Sequence, residues 1–263
     1  MPFHQADGLR YYTFDLLSEQ GLSHAVFTRH GGVSPVPWSS LNMGGTVGDD
    51  RERVAENRRR AFDAVNRSPD SFYDVWLVHS ADVVIARKPR APGDALHKVD
   101  AILTDQPQVT LLMRFADCVP ILLFDPLRRV AGIAHAGWQG TVKRVAAAAV
   151  EAMHAEYGSM PRDIYAAIGP SIGPDHYPVG DEVIEPAQAS FGQDASALLP
   201  ESNGAVNFDL WAANRLVLEQ AGVRYIEEAG LCTACHNRDW FSHRGEVGKT
   251  GRFGVLMWLN GRA

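Results

Sequence analysis

Apolar residues along this chain fall into short runs and helical stripes, and the densest runs lie between Thr110 and Gly140. There TLLMRF (110–115), PILLF (120–124) and RVAGIA (129–134) are each bounded by Pro, Gly or Asp. Runs that are apolar without alternation are the pattern of strands covered on both faces. Two polar points interrupt them. Asp117-Cys118 lies between the first two runs, and His135 closes the third, where Gly137 and Gly140 lead into a helix. A thiol and an imidazole held at strand ends are placed to share a metal ion or a proton.

The same reading predicts strands at 11–14, 24–28, 76–79, 83–86, 164–168, 223–227 and 253–259. A helix follows Asp49, where Asp49 and Glu52 resemble a capping box and Val54, Ala61, Phe62 and Val65 share one face. A second helix spans 140–157, with Val142, Val145, Ala146, Ala149 and Met153 in register and Gly158 as its stop. Two more cover 181–191 and 209–221, the latter capped by Asp209 and ended by Gly222. No repeat, low-complexity tract or long linker divides the chain, so one domain over residues 1–263 is expected. Strands and helices interleave without a regular βαβ rhythm, which points to a layered mixed α/β arrangement and away from a doubly wound sheet or a barrel.

Composition narrows the function classes. Hydrophobic residues at 46% and charged residues at 21% argue against disorder, and no apolar run approaches the length of a membrane span. A net charge of −6 disfavours a nucleic-acid surface while leaving room for a local basic pocket. There is no basic-then-apolar leader pattern, and the three cysteines are an odd number, so reduced thiols in a cytoplasmic protein are expected.

Several polar residues invite a chemical role. The loop at 29–42, RHGGVSPVPWSSLN, offers Arg29, Ser34, Ser40 and Asn42 as a polar wall for a substrate, or serves as a surface connection. Arg58, Arg59 and Arg60 are consecutive on the first helix; at about 100° per residue they cannot all face one site. His79 ends a predicted strand, a position where a lone histidine is more commonly a hydrogen-bonded structural residue than a ligand. Trp138 suits a planar ligand or the rim of a core. Cys232-Thr-Ala-Cys235-His236 has the spacing of a haem attachment site, which no export signal supports. As part of a zinc site with His243 it lacks a second Cys pair. HExxH, Walker A, GxGxxG and GxSxG patterns are missing from the chain. His79, Cys118 and His135 remain, a donor set suited to Zn²⁺ or copper, but too widely spaced in sequence to be diagnostic.

Resemblance adds what spacing leaves open. The pieces Thr28-Arg29-His30-Gly31-Gly32-Val33-Ser34, Ser40-Leu41-Asn42, Asn57-Arg58, Val78-His79-Ser80, Ala116-Asp117-Cys118-Val119-Pro120, His135-Ala136-Gly137-Trp138 and Thr250-Gly251-Arg252 span nearly the whole chain. In that order they resemble the YfiH family, also called the multicopper polyphenol oxidase or laccase-domain family. The resemblance implies an α+β fold, a four-layer α/β/β/α sandwich with mixed sheets. It implies one metal, Zn²⁺ with Cu²⁺ as the alternative, held by His79, Cys118 and His135. It also implies a purine nucleoside enzyme that phosphorolyses adenosine, inosine and methylthioadenosine and deaminates adenosine, working as a monomer or small homo-oligomer on nucleosides and phosphate, with no nucleic-acid or membrane partner. Arg58 or Arg29 would position phosphate, and Asp117 would orient a histidine or cap its strand. Leu77, Gln139, Ser171 and His243 depart from the family's usual Gln, Arg, Cys and Tyr, and with Gln139 an arginine contact to phosphate is not carried over. Copper-dependent phenol oxidation, an amidase acting on peptidoglycan precursors, and a non-catalytic metal-binding protein are the alternative readings.

Overall fold

The three runs between 110 and 134 are buried strands that carry the chain from one sheet into a second. The computed structural model describes residues 2–91, 93–202 and 204–261. Its strands, in chain order, are β1 (Phe3–Ala6), β2 (Leu9–Tyr12), β3 (Leu22–Phe27), β4 (Phe72–Tyr73), β5 (Val83–Ile85), β6 (Ala101–Thr104) and β7 (Thr110–Phe115). They continue with β8 (Val119–Asp125), β9 (Val130–Ala136), β10 (Tyr165–Ile168), β11 (Glu201–Ser202), β12 (Ala205–Val206), β13 (Tyr225–Glu228) and β14 (Phe253–Leu259). The helices are α1 (Asp15–Glu19), α2 (Arg51–Ala64), α3 (Trp138–Val142), α4 (Val145–Tyr157), α5 (Asp181–Phe191), α6 (Ala195–Leu198) and α7 (Leu210–Gln220).

One six-stranded sheet runs β1-β2-β3-β14-β7-β4 and the other β13-β10-β8-β9-β6-β5. Both are mixed: β4 with β7, β5 with β6 and β10 with β13 pair in parallel, and the other neighbours are antiparallel. Alternate residues decide the layers. Leu111, Met113 and Phe115 of β7 meet Ala131 and Ile133 of β9 in a core between the sheets. The opposite face of the second sheet, with Val119, Ile121, Leu123 and Ala134, packs on α4, α5 and α7 through Val150, Val183 and Val217. On the first sheet, Phe27, Leu112 and Leu256 pack on Ala61 and Phe62 of α2. The order is therefore α/β/β/α, and strands β7, β8 and β9 read as unbroken apolar runs because both of their faces are covered.

Three local expectations are corrected, and one strand was not foreseen. Residues 76–79 are not a strand: Trp76 makes a single bridge to Lys98, and the stretch beyond it is irregular. The helix expected over 140–157 is two, α3 and α4, separated at Arg144, whose φ of 63° is left-handed. Neither Gly nor Pro marks that break, so periodicity ran through it. Asp50, not Asp49, caps α2, its carboxylate accepting the N–H groups of Glu52 and Arg53. Strand β6 is only four residues between Asp100 and Asp105, too short to stand out in the sequence, yet wholly buried.

Candidate metal centre

The register of β9 aims His135 at one end of the inter-sheet core, on the same face as Ala131 and Ile133, with its ring 5.4 Å from that of Phe115. Cys118 lies in the crossing from β7 to β8, where Asp117 takes a φ of 80° to turn the chain between sheets. His79 sits in the irregular segment before β5, also left-handed at φ 57°. One ligand atom from each of the three lies within 4.8 Å of the others. Gly137 permits this approach: a Cβ there would lie 2.8 Å from Cys118 Sγ and 3.1 Å from His79 Cδ2.

A residue that sequence reasoning missed holds the two histidines. Asp100, fully buried, accepts the His135 Nδ1–H on Oδ1 at 3.0 Å and, on Oδ2, the backbone N–H groups of Val78 (3.0 Å) and Ser80 (2.7 Å) on either side of His79. Its carbonyl accepts the backbone N–H of His135 at 2.7 Å. One carboxylate thus orients one ring and clamps the backbone beneath the other. No local signal marks it, because its partners are 20 to 35 residues away.

Burial by itself would raise the Cys118 thiol, but the charge on His135 and hydrogen bonds from His135 and His79 outweigh it and bring the thiol down. His135 moves the other way: burial disfavours its charged form, and the neighbouring Cys118 charge and the Asp100 hydrogen bond push it up. Asp100, despite burial, is held at about 2 by His135 and the two backbone donors. The resulting thiolate beside imidazoles is the donor chemistry of a zinc-like cation. With Nδ1 committed to Asp100, His135 presents Nε2 as its ligand atom. These residues fit a metal ion.

The triad opens into a cavity of about 1010 Å³, also lined by Phe72, Trp76, Leu77, Arg58, Arg90, Arg114, Arg252 and His243. Asp74, buried in its wall, is ringed by Arg90 at 2.8 Å, Arg114 at 3.0 Å and Arg58 at 3.8 Å. Three guanidiniums around one carboxylate leave the wall strongly positive. Burial lowers Arg58 to about 10, and Arg114 beside it adds to that fall.

Of the three consecutive arginines, Arg58 and Arg59 line the cavity, but it is Arg58 that reaches Asp74, while Arg59 and Arg60 pair with Glu56. Arg29, Ser34, Asn42 and Asp117 do not line it. Arg29 donates to the carbonyls of Ser39 and Asn237 and pairs with Glu246 at 3.1 Å. Ser34 and Asn42 both donate to Asp49, knitting the 29–42 loop to the start of α2. Asp117 orients no histidine: its oxygens accept Thr233 Oγ1–H and the Arg244 N–H, each at 2.6 Å, and Asp100 takes the orienting role. Trp138 packs against the helix-side core.

The family described as multi-copper polyphenol oxidoreductase laccase matches residues 23–260. The chain belongs to that family. Among family members, purine nucleoside phosphorylase YlmD of Geobacillus stearothermophilus is 39% identical over 234 residues, which is 86% of this chain and 85% of the relative. A purine nucleoside phosphorylase of Deinococcus radiodurans is 39% identical over 236 residues, 90% of this chain and 88% of the relative. The crystal structure of the Bacillus licheniformis hypothetical protein YfiH superposes with a TM-score of 0.91 at 33% identity, covering 98% of this chain and 99% of that one. The four-layer sandwich is thus the family's fold. No helix among the described residues is long and apolar enough to cross a membrane.

Proposed function

We infer that the protein is a metal-assisted purine nucleoside enzyme. It cleaves adenosine, inosine and methylthioadenosine with phosphate to free base and pentose 1-phosphate, and deaminates adenosine at the same site. The observation that carries this reading is the meeting in one cavity of the His79, Cys118 and His135 donors with the arginine wall around Asp74. The names of the relatives support its purine nucleoside phosphorylase part. Zn²⁺ suits the donors, with Cu²⁺ as the alternative. When bound, such an ion supplies a Lewis acid with an open position and acidifies a bound water.

The chain's own groups do the positioning. Arg58, Arg114 and Arg90 hold the phosphate, whose oxygen forms a bond to C1′ as the C1′–N9 bond breaks. The bonding pair leaves on the purine, which takes up a proton at a ring nitrogen. Trp76, 48% exposed on the cavity wall, offers a stacking face for the base. In deamination a water oxygen adds at C6 and ammonia leaves. Arg29, Ser34, Asn42 and Asp117 frame the loops around the site.

The test is to incubate metal-loaded protein with a nucleoside panel, with and without phosphate, and to identify products by mass. Pentose 1-phosphate that appears only with phosphate, and inosine from adenosine without it, are expected. No product from any nucleoside would refute the reading. Protein purified without added copper should remain active, which separates this function from copper-dependent phenol oxidation.

A further inference from the structure

A second donor cluster lies outside the cavity, where the turn after β10 meets the loop that follows β13. Asp175, His176, Cys232 and Cys235 each bring one ligand atom within 4.8 Å of the others. We propose that these four side chains form a closed structural site for a zinc-class cation, separate from the His79, Cys118 and His135 centre.

The distances lie within about 0.2 Å of the edges of a coordination tetrahedron. His176 Nδ1 is 3.5 Å from Cys235 Sγ, 3.9 Å from Cys232 Sγ and 3.1 Å from Asp175 Oδ1. With Zn–S near 2.3 Å and Zn–N or Zn–O near 2.0 to 2.2 Å, tetrahedral edges come to about 3.3 to 3.8 Å. Two sulfurs, a nitrogen and an oxygen complete four-coordination from protein alone, which distinguishes a structural site from a catalytic one. Cys-x-x-Cys spacing is common at such sites.

The backbone prepares the sulfur for this role. Cys232 Sγ accepts the N–H of Gly173 at 3.2 Å and that of Cys235 at 3.5 Å, bonds that fix the position of the sulfur. The two loops run side by side, Ser171 N–H donating to Leu231 O at 3.1 Å and Thr233 N–H to Ser171 O at 2.9 Å. Gly173 is wedged between them: a Cβ there would lie 2.9 Å from Asp175 Oδ1 and 3.1 Å from Cys232 Cβ. Cys232 is buried while Asp175, His176 and Cys235 are exposed, so an ion can enter from solvent. His236 and His243, the sequence neighbours that resembled ligands, are not in the cluster; His176, from a distant turn, takes that place.

Stapling these loops has a consequence for the first centre. Thr233, next to Cys232, holds Asp117, which adjoins Cys118, and Arg244 of the same loop holds the other Asp117 oxygen. The bound cation would fix the loop that also carries His243 into the cavity.

The experiment counts metal in full-length protein and needs no enzyme activity, so failure of the nucleoside reading leaves it standing. Metal-stripped, reduced Cys118→Ala protein is titrated with Zn²⁺, and with Co²⁺ to read thiolate-to-metal charge transfer and the visible bands of a tetrahedral site. One tight equivalent is expected, and it should be lost when Cys235→Ser is added. His176→Ala on the same background, a surface change that spares the buried cysteine, should weaken that equivalent at least tenfold. No zinc uptake by Cys118→Ala would overturn the proposal, as would an equivalent that survives Cys235→Ser and His176→Ala unchanged. A Cys232–Cys235 disulfide that takes up no zinc after reduction would do the same.

Discussion

Asp100→Asn isolates the contribution of a residue that touches neither metal nor substrate. The carboxylate accepts three N–H groups: two backbone donors flanking His79 on Oδ2 and the His135 ring on Oδ1. An amide has one acceptor oxygen. If that oxygen faces the backbone donors, the NH₂ meets His135 Nδ1, and the ring must shift its proton to Nε2, the atom that faces Cys118 and the metal. If the amide flips, its NH₂ opposes the two backbone donors at a side chain that has no solvent access, costing about 1–3 kcal/mol. Loss of a carboxylate that orients a ligating histidine weakens metal binding by about 10- to 100-fold, which is about 1.4 to 2.7 kcal/mol at about 1.4 per decade. Metal-stripped wild type and Asp100→Asn would compete for Zn²⁺ with a chromophoric chelator, and thermal melts of the metal-free forms would separate lost folding from lost affinity. A folded variant whose affinity stays within about twofold of wild type would refute the orienting role, since about 10-fold is the least such a loss should cost.

Three further outcomes are expected. Gly137→Ala, at a φ of −70° that any residue adopts, should keep the fold but drive a methyl into Cys118 Sγ and His79, weakening metal binding by about 1–3 kcal/mol in the same competition assay. Arg58→Met leaves Asp74 paired with Arg90 and Arg114 but strips Met43 O of both guanidinium donors, so stability should fall by about 1–3 kcal/mol while KM for phosphate rises by about 10-fold or more; an unchanged KM would remove Arg58 from the phosphate site. His24 accepts the Phe14 N–H at 2.7 Å and burial holds it at about 4, below its ordinary 6.5, so the folded state resists protonation. Stability is then fully present above pH 6.5 and falls by about 3 kcal/mol as the pH drops through 6.5 to 4. Urea titrations of His24→Gln should lack that slope.

Much of the fold was legible because burial on both faces is a local pattern. The run 110–115 is β7 residue for residue, and 253–259 is β14, since covered strands need only apolar side chains in sequence. The helix at 181–191 was likewise legible from its stripe. The break at Arg144 was not, because a left-handed turn by a non-glycine residue leaves the apolar stripes on both sides intact.

For the site, local pattern was enough to mark Cys118 and His135 as polar points at the ends of buried strands and to show that, at about 100° per residue, not all of Arg58, Arg59 and Arg60 could face a common point. His79 was left beside Cys118 and His135 as a third donor, and the resemblance made the three the ligands of one metal. Packing was needed to show that Arg58 is the one that reaches Asp74 in the cavity wall, that Asp100 and not Asp117 orients His135, and that His176 joins Cys232 and Cys235. The physical reason is the same each time. A covered strand or an amphipathic helix is specified by neighbours in the chain, whereas a hydrogen bond or a donor cluster joins residues that only the packing of two sheets brings together.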